Sequence, residues 1–223
     1  MSEPASGSML NIRGLILFPA VITLAITLLR LAGELAHWSP RFFSAAAGGG
    51  MAIIGISWLP ILFGPYFAVK LTGSGQGTPS LWKAFGFALL GWVIAVGGGF
   101  LGFAPQIKFP GKEAVGLLLM AVGAFAVMLG WPALFRVLVA YGYAARIPVA
   151  VVMLFAMLGH WGTHYDALPP NYSGPTSFLG MYVYLALLPQ MIIWIAFTVL
   201  VGGLVGILVA ALVPRGQATS PAA

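Results

Sequence analysis

Three ionisable side chains of the first apolar stretch, Arg30, Glu34 and His37, recur at helical spacing, and three more, His160, His164 and Asp166, end a later stretch. At about 100° per helical residue the first three fall within an arc of about 60°, so Glu34 can meet Arg30 one turn below and His37 one turn above. His160 and His164 stand at i and i+4, which on a helix puts two imidazoles on one face at metal-chelating spacing. Asp166 follows in the turn before Pro169 and Pro170. Glu34-x-x-His37 is the i, i+3 pair that carboxylate-bridged metal sites use in helical bundles. The metal set this predicts is His37, His160, His164 and Glu34, with Asp166 beside it, suited to Zn²⁺ or a non-haem iron. The only other acids are Glu3 and Glu113, too few carboxylates for a di-iron centre. The same residues also suit a proton or ion path, because histidine titrates near neutrality. They equally suit a plain structural role in which Glu34 neutralises Arg30, His37 lies among headgroups and 160–166 is a solvated loop.

The elements that must position these groups are set by hydrophobicity. The chain is 61% hydrophobic and 6% charged, with a mean hydropathy of +1.02, whereas a soluble domain carries roughly a quarter charged residues. Lipid is the expected main solvent. The net charge of +6 is spread over loops and helix ends rather than gathered into a basic tract, which speaks for membrane orientation and against nucleic-acid binding. Cysteine is absent, which excludes disulfides, thiolate metal sites and cysteine nucleophiles. There is no P-loop, no G-x-S-x-G elbow and no HExxH, so nucleotide hydrolysis and familiar hydrolase mechanisms lack their parts.

A crossing of a hydrocarbon core roughly 30 Å thick takes about 20 helical residues. The expected architecture is an all-α polytopic transmembrane bundle of about six spans, at 14–37, 51–70, 81–103, 113–130, 133–161 and 189–213. Residues 1–13 and 214–223 are expected to be disordered tails around this single domain, and the first helix to be retained rather than cleaved as a signal peptide. Residues 177–188, cut short by Pro189, are expected to form an interfacial or re-entrant helix before the last span. Residues 132–146 are read as an interfacial helix carrying Arg136, Tyr143 and Arg146 on one face, with the two arginines contacting phosphates. A deeply placed Arg146 would instead be an anion-binding or gating residue. Trp38, Trp82, Trp131 and Trp161 mark span ends, while Trp58, Trp92 and Trp194 fall deeper.

Lys and Arg place Arg13, Lys70, Lys83, Arg136 and Arg215 on one side and Arg41, Lys108 and Lys112 on the other, predicting a cytoplasmic N-terminus in a bacterial inner membrane. Gly116, Gly123 and Gly130, the pair Gly98 and Gly102, and the pair Gly202 and Gly206 form small-residue stripes. These predict close helix packing within the chain, or a seam with a second copy or another membrane protein. The overall expectation is an integral membrane protein that binds or translocates a small solute or ion through a polar site at the outer ends of helices 1 and 5. A membrane metalloenzyme and a non-catalytic accessory subunit are the competing classes.

Overall fold

The computed structural model describes residues 11–170 and 172–213. Most of the two expected tails, and Arg215, lie outside the described residues. Among the described residues six helices longer than a single turn follow in order: α1 Ile12–Leu35, α2 Leu59–Gly73, α3 Leu81–Phe103, α4 Lys112–Gly130, α5 Pro132–Gly159 and α6 Phe178–Ala210. Among the described residues there is no strand. All but α2 are long and apolar enough to cross a hydrocarbon core, so the all-α membrane bundle is what the chain forms.

Two boundaries differ from expectation, for identifiable reasons. α2 has 15 residues, which at about 1.5 Å per residue is well short of the roughly 30 Å of a bilayer core. Helix cannot extend backwards through 51–58 because Pro60 lacks an N–H and its ring crowds the carbonyl four residues earlier. Further upstream, Gly48, Gly49, Gly50 and Met51 all have positive φ. The span from 51 is therefore corrected to one that becomes helical at Leu59. At the other end of the chain, 178–210 is one continuous 33-residue helix, not a re-entrant piece followed by a crossing. Pro189 is accommodated by two π-helical turns, Val183–Leu187 and Pro189–Ile193, whose wider winding absorbs the missing donor.

α5 and α6 form the centre, with half of each most apolar window buried, while α1, α3 and α4 bury about a third or less and present the remainder outward. Phe63, Phe67 and Leu71 of α2 meet Leu134, Leu138 and Tyr141 of α5 and Val199 and Ile207 of α6 in one core. The glycine stripes are used inside the chain. A Cβ on Gly116 would lie 2.7 Å from Gly102 Cα, one on Gly123 2.5 Å from Gly91 O and one on Gly130 2.6 Å from Ala84 Cα, so α3 and α4 touch backbone to backbone. Gly64 of α2 presses likewise on Gly202 of α6. Without a hydrophobic drive between helices in lipid, such close approach is what dispersion forces require.

The turns dock in pairs at the two ends. At one end Thr78 Oγ1 donates to Gly130 O (3.0 Å) and Trp131 Nε1 to Gln76 O (2.9 Å), joining the α2–α3 and α4–α5 turns. Trp131 is thus 1% exposed and is a core residue rather than an interfacial marker, while Trp58, expected to lie deep, is the exposed residue preceding α2. The opposite end carries the segments 36–58 and 160–177.

A methyl group tests the glycine seams. Gly64→Ala must push a Cβ into Gly202 backbone and is expected to lower stability by about 1–3 kcal/mol. Gly97→Ala, which meets nothing within 4 Å, should leave it unchanged or slightly higher. Equal melting temperatures for the two variants in detergent would contradict this packing.

Candidate functional site

The buried face of α1 is polar. Thr23, Thr27, Arg30 and Glu34, at spacings of three and four residues, are all turned into the protein. Thr23 donates to Pro19 O (2.7 Å) and its hydroxyl meets Tyr141 Oη at 2.9 Å, while Thr27 donates to Thr23 O (2.9 Å). Each hydroxyl thus satisfies itself on the preceding turn, the usual way such groups are tolerated inside a membrane helix.

Higher on the same face, Arg30 and Glu34 form a buried pair. Arg30 Nε donates to Glu34 Oε1 at 2.8 Å, and Nη2 donates to Gly49 O (2.9 Å) and Ser44 O (3.2 Å). Gly49, at φ 85°, leaves room for this: a Cβ there would sit 2.8 Å from Nη2, and one on Gly55 2.9 Å from Nη1. The irregular segment between α1 and α2 is therefore wrapped on the guanidinium. On its other side Glu34 accepts from the loop after α5. The backbone N–H of His164 donates to Oε2 (2.8 Å) and His164 Nδ1 lies 2.6 Å from Oε1.

Burial, the strongest influence on His164, pushes its imidazole below the usual histidine pKa, and nearby Arg30 acts in the same direction against the bond to Glu34. The ring is neutral at pH 7. Because a carboxylate only accepts, Nδ1 carries the proton and Nε2 is left as an acceptor. Tyr165, whose ring is tilted 42° to that imidazole with centroids 3.8 Å apart, donates to Thr27 O at 3.2 Å. Asp166 is occupied locally: its carboxylate accepts from Gly162 N–H (2.9 Å), Thr163 N–H (2.7 Å) and Thr163 Oγ1 (2.7 Å). Burial pushes this carboxyl up, but those hydrogen bonds outweigh it and hold it below the usual range.

The two remaining histidines do not join. α1 ends at Leu35, and His37, with φ 53°, is an exposed turn residue whose N–H bonds to Glu34 O (3.1 Å), so the i, i+3 face never forms. α5 ends at Gly159, and His160, with φ 48°, is its exposed left-handed cap, so the i, i+4 spacing with His164 is not helical. The metal set His37, His160, His164 and Glu34 is thus reduced to one touching pair, His164 and Glu34. Among the described residues no group of three or more His, Cys, Asp or Glu is arranged to hold a metal ion.

Arg146 corrects another expectation. α5 is continuous through it, and the side chain is 5% exposed rather than laid among headgroups. Its guanidinium carbon lies 4.4 Å from the centre of the Trp194 ring, and Nη1 reaches Gln190 Oε1 at 3.5 Å. Among the described residues it forms no salt bridge with a carboxylate. Arg136, by contrast, is exposed near the start of α5, with Nε donating to Pro132 O (3.3 Å).

Between α1, α5 and α6 lies a cavity of about 330 Å³ whose polar lining includes Thr27, Arg30, Ser57, Arg146, His164, Asp166 and Gln190. This is at the small end of the range for ligand pockets, about 300–1,000 Å³. Gly55 and Ile56 of the irregular segment also line it, as do Pro189 and Gln190 of the second π turn. Non-helical backbone at membrane depth is tolerated where it lines a cavity, and here it does. Gln190 and Thr27 were not singled out by sequence. The available signals were a lone amide after Pro189 in an apolar run, and the threonines that continue the Arg30–Glu34 stripe down α1.

Removing the Glu34 carboxylate strands Arg30 in the interior, so Glu34→Ala is expected to cost about 3–5 kcal/mol, read as a lowered melting temperature in detergent. His164 adds a pH dependence. Its folded pKa lies below the unfolded value near 6.5, so its contribution is complete above that pH and lost as pH falls through the folded pKa. Acidification from pH 7.5 to 5.5 should therefore lower the melting temperature of the native chain more than that of His164→Asn. No family model, curated protein or solved structure matches this chain.

Proposed function

We propose that the chain is a multi-pass protein of a bacterial inner membrane, N-terminus cytoplasmic, that binds a small solute or ion in the α1–α5–α6 cavity and passes it across the bilayer. The observation that carries the reading is the buried Arg146, without a carboxylate partner among the described residues, on the wall of a cavity bounded by irregular backbone on two sides. A charge inside a membrane helix is costly and marks a solute or ion path by default. Interrupted helices meeting at such a charge are the usual construction of transporter sites. The threonine stripe of α1 supports passage as well as binding, since it extends from the cavity to Thr23 and Tyr141 in the middle of the bundle. Orientation is supported by Arg13, Lys70, Lys83 and Arg136 at the end away from the cavity, against Arg41, Lys108 and Lys112 at the cavity end.

The cysteine-free sequence makes passage testable. In proteoliposomes, Ser57→Cys should react with a membrane-impermeant thiol reagent from the cavity side. Thr27→Cys, buried here, should react from either side when the reagent is supplied to one side at a time. Labelling of Thr27→Cys from the cavity side alone would rule out passage and leave a binding pocket.

A further inference from the structure

The two guanidinium groups on the cavity wall are in opposite conditions. Arg30 is neutralised by Glu34, giving Nε to that carboxylate and Nη2 to two backbone carbonyls. Arg146 has one long bond, 3.5 Å to a neutral amide. A guanidinium has five N–H donors in a planar fork and keeps its proton at neutral pH. Among the described residues no fully buried side-chain nitrogen lacks a partner, so the unused donors of Arg146 are open to the cavity that it lines. Trp194 covers one face of the guanidinium plane, which leaves the N–H edge, the part that engages an oxyanion in parallel bonds, for whatever enters.

Gln190 is held in the same provisional way. Its Oε1 has the long contact with Arg146, and its Nε2 lies 3.6 Å from Met153 Sδ. Both are weak bonds that an anionic oxygen would replace by stronger ones, from Arg146 and from the amide N–H together. The apolar part of the wall is made by Ile26, Val149, Met153, Met157 and Leu185. Of the other ionised groups of the wall, Arg30 is neutralised by Glu34, while Asp166 is held by the uncharged donors of its own turn and keeps its negative charge. Among the described residues Arg146 is therefore the one charged residue buried in this wall without a carboxylate partner, and it lies beside the apolar part of the chamber.

Resting on the reading of this cavity as a solute site, we propose that its ligand is a small amphipathic monocarboxylate. The carboxylate is paired with Arg146 and Gln190, and a short hydrocarbon part lies against Met153 and Met157. A single guanidinium without a carboxylate partner, on a wall that also carries the Asp166 carboxylate, selects a monoanion over a dianion. The methionines, flexible and polarisable, accept hydrocarbon of varied shape.

The test uses the full chain in an uncharged maltoside detergent, with hexanoate, hexanamide, hexylamine and phosphatidylglycerol as probes. The readout is protection of Thr27→Cys, a cavity-wall position, from alkylation. Hexanoate is expected to protect, and the amide and amine of equal length are not. Adding Arg146→Met should raise the hexanoate concentration needed at least about tenfold. Arg146→Lys, which keeps the charge but loses the fork, should fall between. Arg146→Met without probe should melt no lower than the native chain, because it removes a buried charge that no carboxylate offsets.

Absence of protection by hexanoate, or protection unchanged by Arg146→Met, overturns the proposal. Equal protection by hexanamide or hexylamine overturns the carboxylate assignment while leaving the cavity as a solute site. Protection by phosphatidylglycerol but not hexanoate overturns it in favour of a lipid phosphate at the same arginine.

Discussion

The carboxylate of Glu34 is the constraint on which the cavity end of this protein depends. A carboxylate shielded from water inside a membrane bundle has to be compensated by charge and by hydrogen bonds at once. Glu34 meets both demands, with Arg30 on one side and the backbone and imidazole of His164 on the other. Because Arg30 in turn donates to Ser44 and Gly49, one negative charge ties together α1, the segment before α2 and the loop after α5. A small apolar cluster, with Leu31 of α1, Ile56 and Tyr165 packed about Val149 and Ala156, backs these polar contacts at the same end. The positive φ of Gly49 and the bare Cα of Gly55 follow from the same demand, since side chains there would displace the guanidinium.

Elsewhere the bundle is held by a different force. α3 against α4, and α2 against α6, approach at glycines until backbone meets backbone, and the attraction is dispersion between close-packed surfaces. The two regimes divide the molecule. Glycine seams close one part of the bundle, and the cavity occupies the region where helix winding is interrupted, by Pro60 with its preceding irregular segment and by the π turns about Pro189. Residues of both interruptions, Gly55 and Ile56 on one side and Pro189 and Gln190 on the other, line the chamber beside Arg146.

Arg146 shows why depth matters more than residue type. An arginine in an interfacial helix is commonplace, and the local run from Pro132 to Arg146 reads that way. Packed under Trp194 with a glutamine as its only side-chain partner among the described residues, the same residue becomes the single charge of the cavity without an acid, and the centre of the functional reading.

Composition and hydropathy by themselves determined that the chain is an all-helical membrane bundle, because burial of about 20-residue apolar stretches in lipid is a local property of each segment. The glycine repeats already indicated close seams, and the pairing of Arg30 with Glu34 was readable from one helical turn, since i, i+4 contacts require no knowledge of the rest of the fold. What extended that local geometry too far was the helix ends. His37 and His160 each lie just past a terminus, in left-handed turns, and helical spacing does not survive there. Only the tertiary structure decided that His164 folds back on Glu34 across 130 residues, that α6 continues through Pro189, and that Arg146 faces a chamber. Each of these depends on how buried polar groups find partners among distant elements, and a partner contributed by another helix leaves no periodicity in the sequence.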